Sequence, residues 1–216
     1  MRIPLLILFF CAALAGSGMA TESMTKVVFR QEGPDVAPGS FGAKPKTLYR
    51  WKSTMGRVEQ ALDADHHLQE LFIANGKDGW LINLADKTGT HLVDPSTDND
   101  FYVPIVPAGK PNENPPIRDF QIGRELDFMA SQKVASKPVV KDGKTLILYE
   151  CVKEGYTLDF YVSTSSGSPT ESDVSKDGKL LLRLVYLEYS SALDPNPSLF
   201  QPPTDVKISE AGPATH

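Results

Sequence analysis

Glycine-bearing turns punctuate this chain so regularly that they dictate what it can become. Gly76-Lys77-Asp78-Gly79, Lys87-Thr88-Gly89, Asp142-Gly143, Glu154-Gly155 and Asp177-Gly178 each separate two short β-prone runs. Tight hairpins need positive φ, which Gly adopts at no steric cost. The runs between them read as strands: Thr47–Lys52, Arg57–Leu62, Leu68–Ala74, Trp80–Leu84, Thr90–Val93, Thr145–Lys153, Tyr156–Ser163 and Lys179–Tyr189. In Tyr156–Ser163, Tyr156, Leu158, Phe160 and Val162 alternate with Thr157, Asp159, Tyr161 and Ser163, the period of a half-buried strand. Connections this short join neighbours in an antiparallel meander. Lys179–Tyr189 carries apolar residues on both faces: Leu180, Leu182, Leu184 and Tyr186 on one, Leu181, Val185 and Leu187 on the other, interrupted by Arg183. A strand of that kind is central and covered on two sides.

One helix is expected, over Gly123–Ala135. There Leu126, Met129 and Ala130 recur at helical spacing, Glu125 and Asp127 stand near the start, and Lys133 stands near the end, as the helix dipole favours. Pro138 is expected to stop it. Residues 31–46 are rich in Gly and Pro and read as a loop. Asp94–Arg118 holds Pro95, Pro104, Pro107, Pro111, Pro115 and Pro116, so its apolar middle, Phe101 to Val106, does not form a regular central strand. It reads either as a binding loop or lid, or as an edge strand with a surface loop.

The amino end sets the address. Arg2 precedes an uncharged apolar run, Ile3 to Ala15, and Gly18-Met19-Ala20 offers small residues where a signal peptidase reads. The run is about a dozen residues, short of the ~20 that cross a bilayer. Residues 1–20 are therefore expected to be a signal peptide cut near Ala20, with residues 21–216 a single β-rich domain in the periplasm and no transmembrane segment in it. Phe9 and Phe10 precede Cys11, which reads as signal filler rather than a lipidated cysteine. Cys151 is then the one cysteine left, and it reads as a buried core residue. With 22 basic against 27 acidic residues, a net charge of −5 and no basic run, nucleic acid is not an expected partner.

The pattern carries no recognisable catalytic constellation. Asp63-Ala64-Asp65-His66-His67 is dense in metal-ligand types, but adjacent histidines on a strand face opposite ways, so it reads as a polar hairpin loop. Ser165-Ser166-Gly167-Ser168 is a turn, and no Gly-x-Ser-x-Gly, phosphate loop or Cys-x-x-Cys occurs. Glu125 and Asp127 read as helix-start charges rather than an acid–base pair. No catalytic residue, metal or cofactor is expected. Tyr49, Trp51, Trp80 and Tyr186 are aromatic and are either pocket-lining or core.

Three segments together resemble the lipoprotein-carrier (LolA-like) superfamily: PKTLYRWKSTMGRVEQ with GWLINLADKTGTHLVDP, then EGYTLDFYVSTSSGSPTESDV, then VYLEYSSALDPNPSLFQPPTDVKISE. The resemblance implies a mainly β (α+β) fold: a curved antiparallel sheet forming an unclosed barrel over one or a few helices, with an apolar cavity between them. It also implies binding of lipoprotein acyl chains or other apolar, lipid-like molecules. Leu48, Phe72, Trp80, Ile82, Phe160 and Leu182 are the expected cavity lining. The carriers use an arginine near the mouth to hold a lid, a role that falls to Arg50 or Arg57. The chain departs from the carriers at residues 21–45, where Val27, Val28 and Phe29 form a β-like run in place of their opening amphipathic helix. The reading is thus an exported, non-enzymatic binding module, with an envelope structural or interaction protein lacking a bound ligand as the alternative.

Overall fold

The computed structural model describes residues 22–95, 100–105 and 116–211. The signal-peptide reading of residues 1–20, with Cys11, lies outside them, as does much of the proline-rich segment. Twelve strands form one sheet. In chain order they are β1 (Met24–Glu32), β2 (Lys46–Trp51), β3 (Met55–Gln60), β4 (Glu70–Asn75), β5 (Asp78–Asn83), β6 (Thr88–Val93), β7 (Ser136–Lys141), β8 (Lys144–Lys153), β9 (Tyr156–Ser163), β10 (Pro169–Lys176), β11 (Lys179–Leu193) and β12 (Lys207–Glu210), with α1 (Glu125–Ser131) between β6 and β7. The spatial order is β12-β6-β5-β4-β3-β2-β1-β11-β10-β9-β8-β7. Two meanders, β1–β6 and β7–β11, thus meet where β1 pairs antiparallel with β11.

The turns explain the meanders. Asp142-Gly143, Glu154-Gly155 and Asp177-Gly178 have positive φ at both positions, the signature of the type I′ turn whose twist matches that of the flanking strands. The sheet is mostly antiparallel, as expected; β12 alone among its described strands returns to lie parallel to its neighbour, β6. The helix is also shorter than its pattern suggested, ending at Ser131. Pro138 sits inside edge strand β7, where a missing N–H costs no ladder bond.

Twelve strands spaced at ~4.8 Å would span roughly 50 Å if flat. Yet Val27 and Phe29 of β1, Leu48 of β2, Cys151 of β8, Phe160 of β9, Val174 of β10 and Leu184 of β11 share one buried cluster with Phe128 and Met129 of α1. A helix of seven residues is only ~10 Å long. The sheet therefore curls around it, leaving β7 and β12 as free edges of an unclosed barrel.

Two ribbons of chain line this curl, one on each side. On the inner face, residues 100–105 and 116–124 form a strap. Ile105 N–H donates to Phe120 O (3.1 Å) and Ile122 N–H to Val103 O (3.0 Å), and Tyr102 Oη donates to Arg118 O. On the outer face, the segment after β11 packs Leu199, Phe200, Val206 and Ile208 against Leu71, Ile73, Trp80 and Ile82. His91 secures this outer ribbon. Its Nε2 lies 2.8 Å from Asp78 Oδ1 and its Nδ1 2.9 Å from Glu210 Oε2 on β12, while its ring stacks on Trp80 with centroids 5.2 Å apart.

Gly56 shows how closely the strap is seated. A Cβ there would stand 2.1 Å from the Phe101 ring, so only Gly lets that ring lie on β3. Gly56→Ala should destabilise the fold by about 1–3 kcal/mol through overpacking, read from the urea midpoint. The same change in a Phe101→Ala background should cost almost nothing, because the obstructing ring is gone. His91 gives a pH signature. Its hydrogen bonds to Asp78 and Glu210 raise its pKa above 6.5, so the folded state holds the proton more tightly. That stabilisation is complete below pH 6.5 and disappears as pH rises through the raised value. Urea titrations at stepped pH should show the native chain losing stability relative to His91→Gln over that interval.

Candidate functional site

Strand register sorts the side chains of β2–β6 into rows across the sheet. One inner row runs Leu48–Val58–Phe72–Leu81–Thr90, and the next runs Arg50–Gly56–Ala74–Gly79–Leu92. Towards the other end lie Lys46–Gln60 and Glu70–Asn83–Thr88. The outer face carries Tyr49–Arg57–Ile73–Trp80–His91.

This register divides the six expected cavity residues. Leu48, Phe160 and Leu182 are buried in the inner cluster, and Phe72 packs partly buried against it. Trp80 and Ile82 belong to the outer cluster with Phe200. They flank Leu81, and successive side chains on a strand point to opposite faces, so no single cavity is lined by all six. Tyr49 and Trp51 also lie on the outer side, while Tyr186 lies within.

The two candidate arginines part in the same way. Arg57 is outside, donating to Leu199 O (3.3 Å) and Glu59 Oε2 (2.7 Å). Arg50 is inside and buried. It donates to Phe101 O (2.7 Å), Gln121 Oε1 (3.2 Å) and Ile122 O (3.3 Å), thereby tying both arms of the strap to β2. Its guanidinium also stands over the Phe101 ring, 4.9 Å from the centroid. Burial lowers its pKa to about 10, with Arg124 acting in the same direction, which leaves it charged at neutral pH.

Glu125 is the feature that the sequence reading missed. It is fully buried. Gly123 N–H donates to both of its carboxylate oxygens at 3.0 Å, Tyr186 Oη to Oε1 at 2.6 Å and Tyr189 Oη to Oε2 at 3.1 Å. Tyr186 Oη in turn meets Ser172 Oγ at 2.9 Å. Burial raises the pKa of Glu125, while these donors oppose the shift. The clue lay in Tyr186 and Tyr189, which sit three apart on one strand. A register irregularity at Val28/Phe29 of β1 turns both to the same face.

The strap and α1 leave part of the inner face open. Leu81 is 51% exposed and Leu92 40% exposed, although both belong to inner rows. Beside them is a cleft of ≈ 350 Å³ bounded by Phe72, Ala74, Gly79, Leu92, Phe101 and Tyr102. On the other side of Leu81 a second cleft of ≈ 380 Å³ is bounded by Leu68, Glu70, Leu81, Asn83, Thr90 and Ser209. The inner face along Leu81 and Leu92, with one cleft at each end, is called the trough; each cleft is of the size in which small molecules are held. A larger groove, ≈ 640 Å³, lies beside the β9–β10 turn. There the hydroxyls of Ser163, Ser166 and Thr170 already bond within the hairpin.

Elsewhere, Asp63 accepts from Lys44 (2.6 Å) and meets His66 (3.0 Å), while His67 turns to Asp86 (3.2 Å). Among the described residues no group of three or more His, Cys, Asp or Glu is arranged to hold a metal. Cys151 is buried, and burial pushes its thiol pKa up. No helix among the described residues is long and apolar enough to cross a membrane.

No family model matches the chain, and no curated protein matches it. Solved structures to which it is similar include an uncharacterised conserved protein from Thermus thermophilus, at 11% identity and TM-score 0.47 over 88% of this chain and 91% of that one. The Pseudomonas aeruginosa MucA/MucB complex is similar at 14% identity and TM-score 0.42, over 88% of this chain but only 59% of the other. A LolA superfamily protein from Nitrosomonas europaea is similar at 11% identity and TM-score 0.32, over 84% and 91% of the two chains.

Glu125 supplies a test of the buried network. Its raised pKa means that the folded state holds a proton from pH 4.5 upward that the unfolded state has released. Stability from this group is therefore greatest below pH 4.5 and falls as pH climbs through the raised value. Denaturation at stepped pH should show the native chain losing stability relative to Glu125→Gln over that window. Parallel curves would mean that Glu125 keeps an ordinary pKa.

Proposed function

We propose that this chain is an exported, non-catalytic binding module that holds an apolar or lipid-like ligand, such as a lipoprotein acyl chain, in the inner-face trough of its curved sheet. The observation that carries this reading is the exposure of Leu81 and Leu92 on the face that elsewhere forms the core. A sheet normally buries such a face, and an uncovered apolar floor beside half-buried Phe72 suits an apolar occupant. The clefts on either side give that occupant room. The apolar amino-terminal run with its Gly18-Met19-Ala20 site supports export to the periplasm.

Arg50 and Gly56 define the fixed wall of the trough. They hold Phe101 against β3, and the ring stacks on Phe72 at 6.3 Å and 17°. A ligand lying along Leu81 and Leu92 would therefore meet an ordered aromatic surface.

Native mass spectrometry of residues 21–216, recovered from envelope extract without detergent, tests the proposal. Extra mass that leaves on delipidation and returns with added fatty acid or phospholipid is the expected result. Leu81→Asp with Leu92→Asp should abolish that mass while shifting stability by no more than about 1 kcal/mol, since both side chains are already exposed. A protein that stays free of added mass in the presence of lipid would move the function to surface interactions in the envelope.

A further inference from the structure

The charges around the trough indicate which kind of amphiphile fits it, an inference that rests on the binding reading above. At one end stands Glu70, half-buried, in the cleft with Leu81, Asn83, Thr88 and Thr90. No hydrogen bond or ion pair reaches its carboxylate among the described residues. The cation whose charge it feels is Lys46. That amine is committed elsewhere: it donates to Phe41 O at 2.6 Å and, at 3.4 Å, to Gly42 O and Lys44 O. Burial lowers its pKa to about 8. At the other end of the trough, the described residues around the cleft beside Phe101 include Asp78, Asp94, Asp100 and Lys77. Asp78 Oδ1 lies 2.8 Å from His91 Nε2. The Glu70 end thus presents a carboxylate with no ion-pair partner among the described residues, and the floor beside it carries Leu81, Phe72 and Leu92.

The dimensions suit a molecule with one polar end. Glu70 and Ala74 stand four residues apart on β4, about 13 Å at ~3.3 Å per residue. A head at Glu70 thus places a medium-length chain over Leu81, Phe72 and Leu92. Placing an anionic head beside the Glu70 carboxylate is repulsive, whereas an ammonium would give it a direct ion pair.

We propose that the trough prefers an amphiphile with a cationic amine head, seated against Glu70, over an anionic one of the same chain length. The test is displacement of the neutral fluorophore N-phenyl-1-naphthylamine from the purified protein at pH 7 by dodecylamine, dodecanol or dodecanoate, each below its micellar concentration. The expected order is amine, then alcohol, then carboxylate, with the amine at least about fivefold tighter than the carboxylate in low salt and the gap narrowing in 0.5 M NaCl. Glu70→Gln should close most of the gap. Glu154→Gln, which removes the same charge from an exposed turn, should leave it intact and so separate Glu70 from the general acidity of the chain. Fluorophore uptake with equal displacement by all three, or a preference that survives Glu70→Gln, overturns this inference while leaving the binding reading standing. Absence of fluorophore uptake overturns both.

Discussion

The pairing of β1 with β11 is the contact on which the remaining structure depends. Among the described residues the β1–β6 meander and the β7–β11 meander share no other ladder. Residues Met24–Glu32 bind the second meander through β11 and the first through β2. The joint is irregular, with register shifts between Met24 and Lys26 and between Val28 and Phe29. Such irregularities bend and twist a strand locally. Here the bend falls at the middle of the sheet, where curling brings β8 and β2 around the same cluster. The Val28/Phe29 shift also presents Tyr186 and Tyr189 to one side.

Curling creates an interior that is not purely apolar. Arg50 and Glu125 are both buried there, an arrangement that costs free energy unless their polar atoms are met. Glu125 meets that condition with donors from Gly123, Tyr186 and Tyr189. Arg50 meets it largely with strap carbonyls, although its Nε lacks a hydrogen-bond partner among the described residues. The two groups divide a task. Glu125 fixes the start of α1 against β11, and Arg50 fixes the strap against β2. Chain with little regular structure of its own is thereby held in one place, with directional bonds doing what apolar packing alone would leave loose.

That arrangement also explains why only part of the inner face is open. The strap reaches β3 and β4 through Phe101 on Gly56 and Phe72. Leu81 and Leu92, on β5 and β6, lie beyond it. The outer face at the same strands is closed by Phe200 and Ile208. On the outer face of β7–β11 a small apolar cluster, Leu146, Leu148 and Tyr161 with Val139, lies beside an ionic one in which Lys141 and Arg183 bind Glu171 and Asp173. Leu81 and Leu92 are thus the exposed apolar residues of the inner face at this end of the sheet.

Much of the sheet was legible in the chain itself. The Asp-Gly and Glu-Gly turns require positive φ, and the alternation between them assigns strands, so β2–β6 and β8, β9 and β11 follow from local rules. Side-chain alternation also determines that Phe72 and Ile82 cannot both face inward when Leu71 pairs with Ile82. That pairing, however, is a register, and register is decided between strands rather than within one. The parallel return of β12, the burial of Glu125 and the seat of Phe101 on Gly56 depend on segments far apart in sequence meeting. No local pattern announces them. The sequence by itself determined a β meander and where its turns lie. Only the tertiary structure decided which apolar residues became core and which were left as an open floor, because burial is set by what packs opposite a side chain, not by the side chain's own preference.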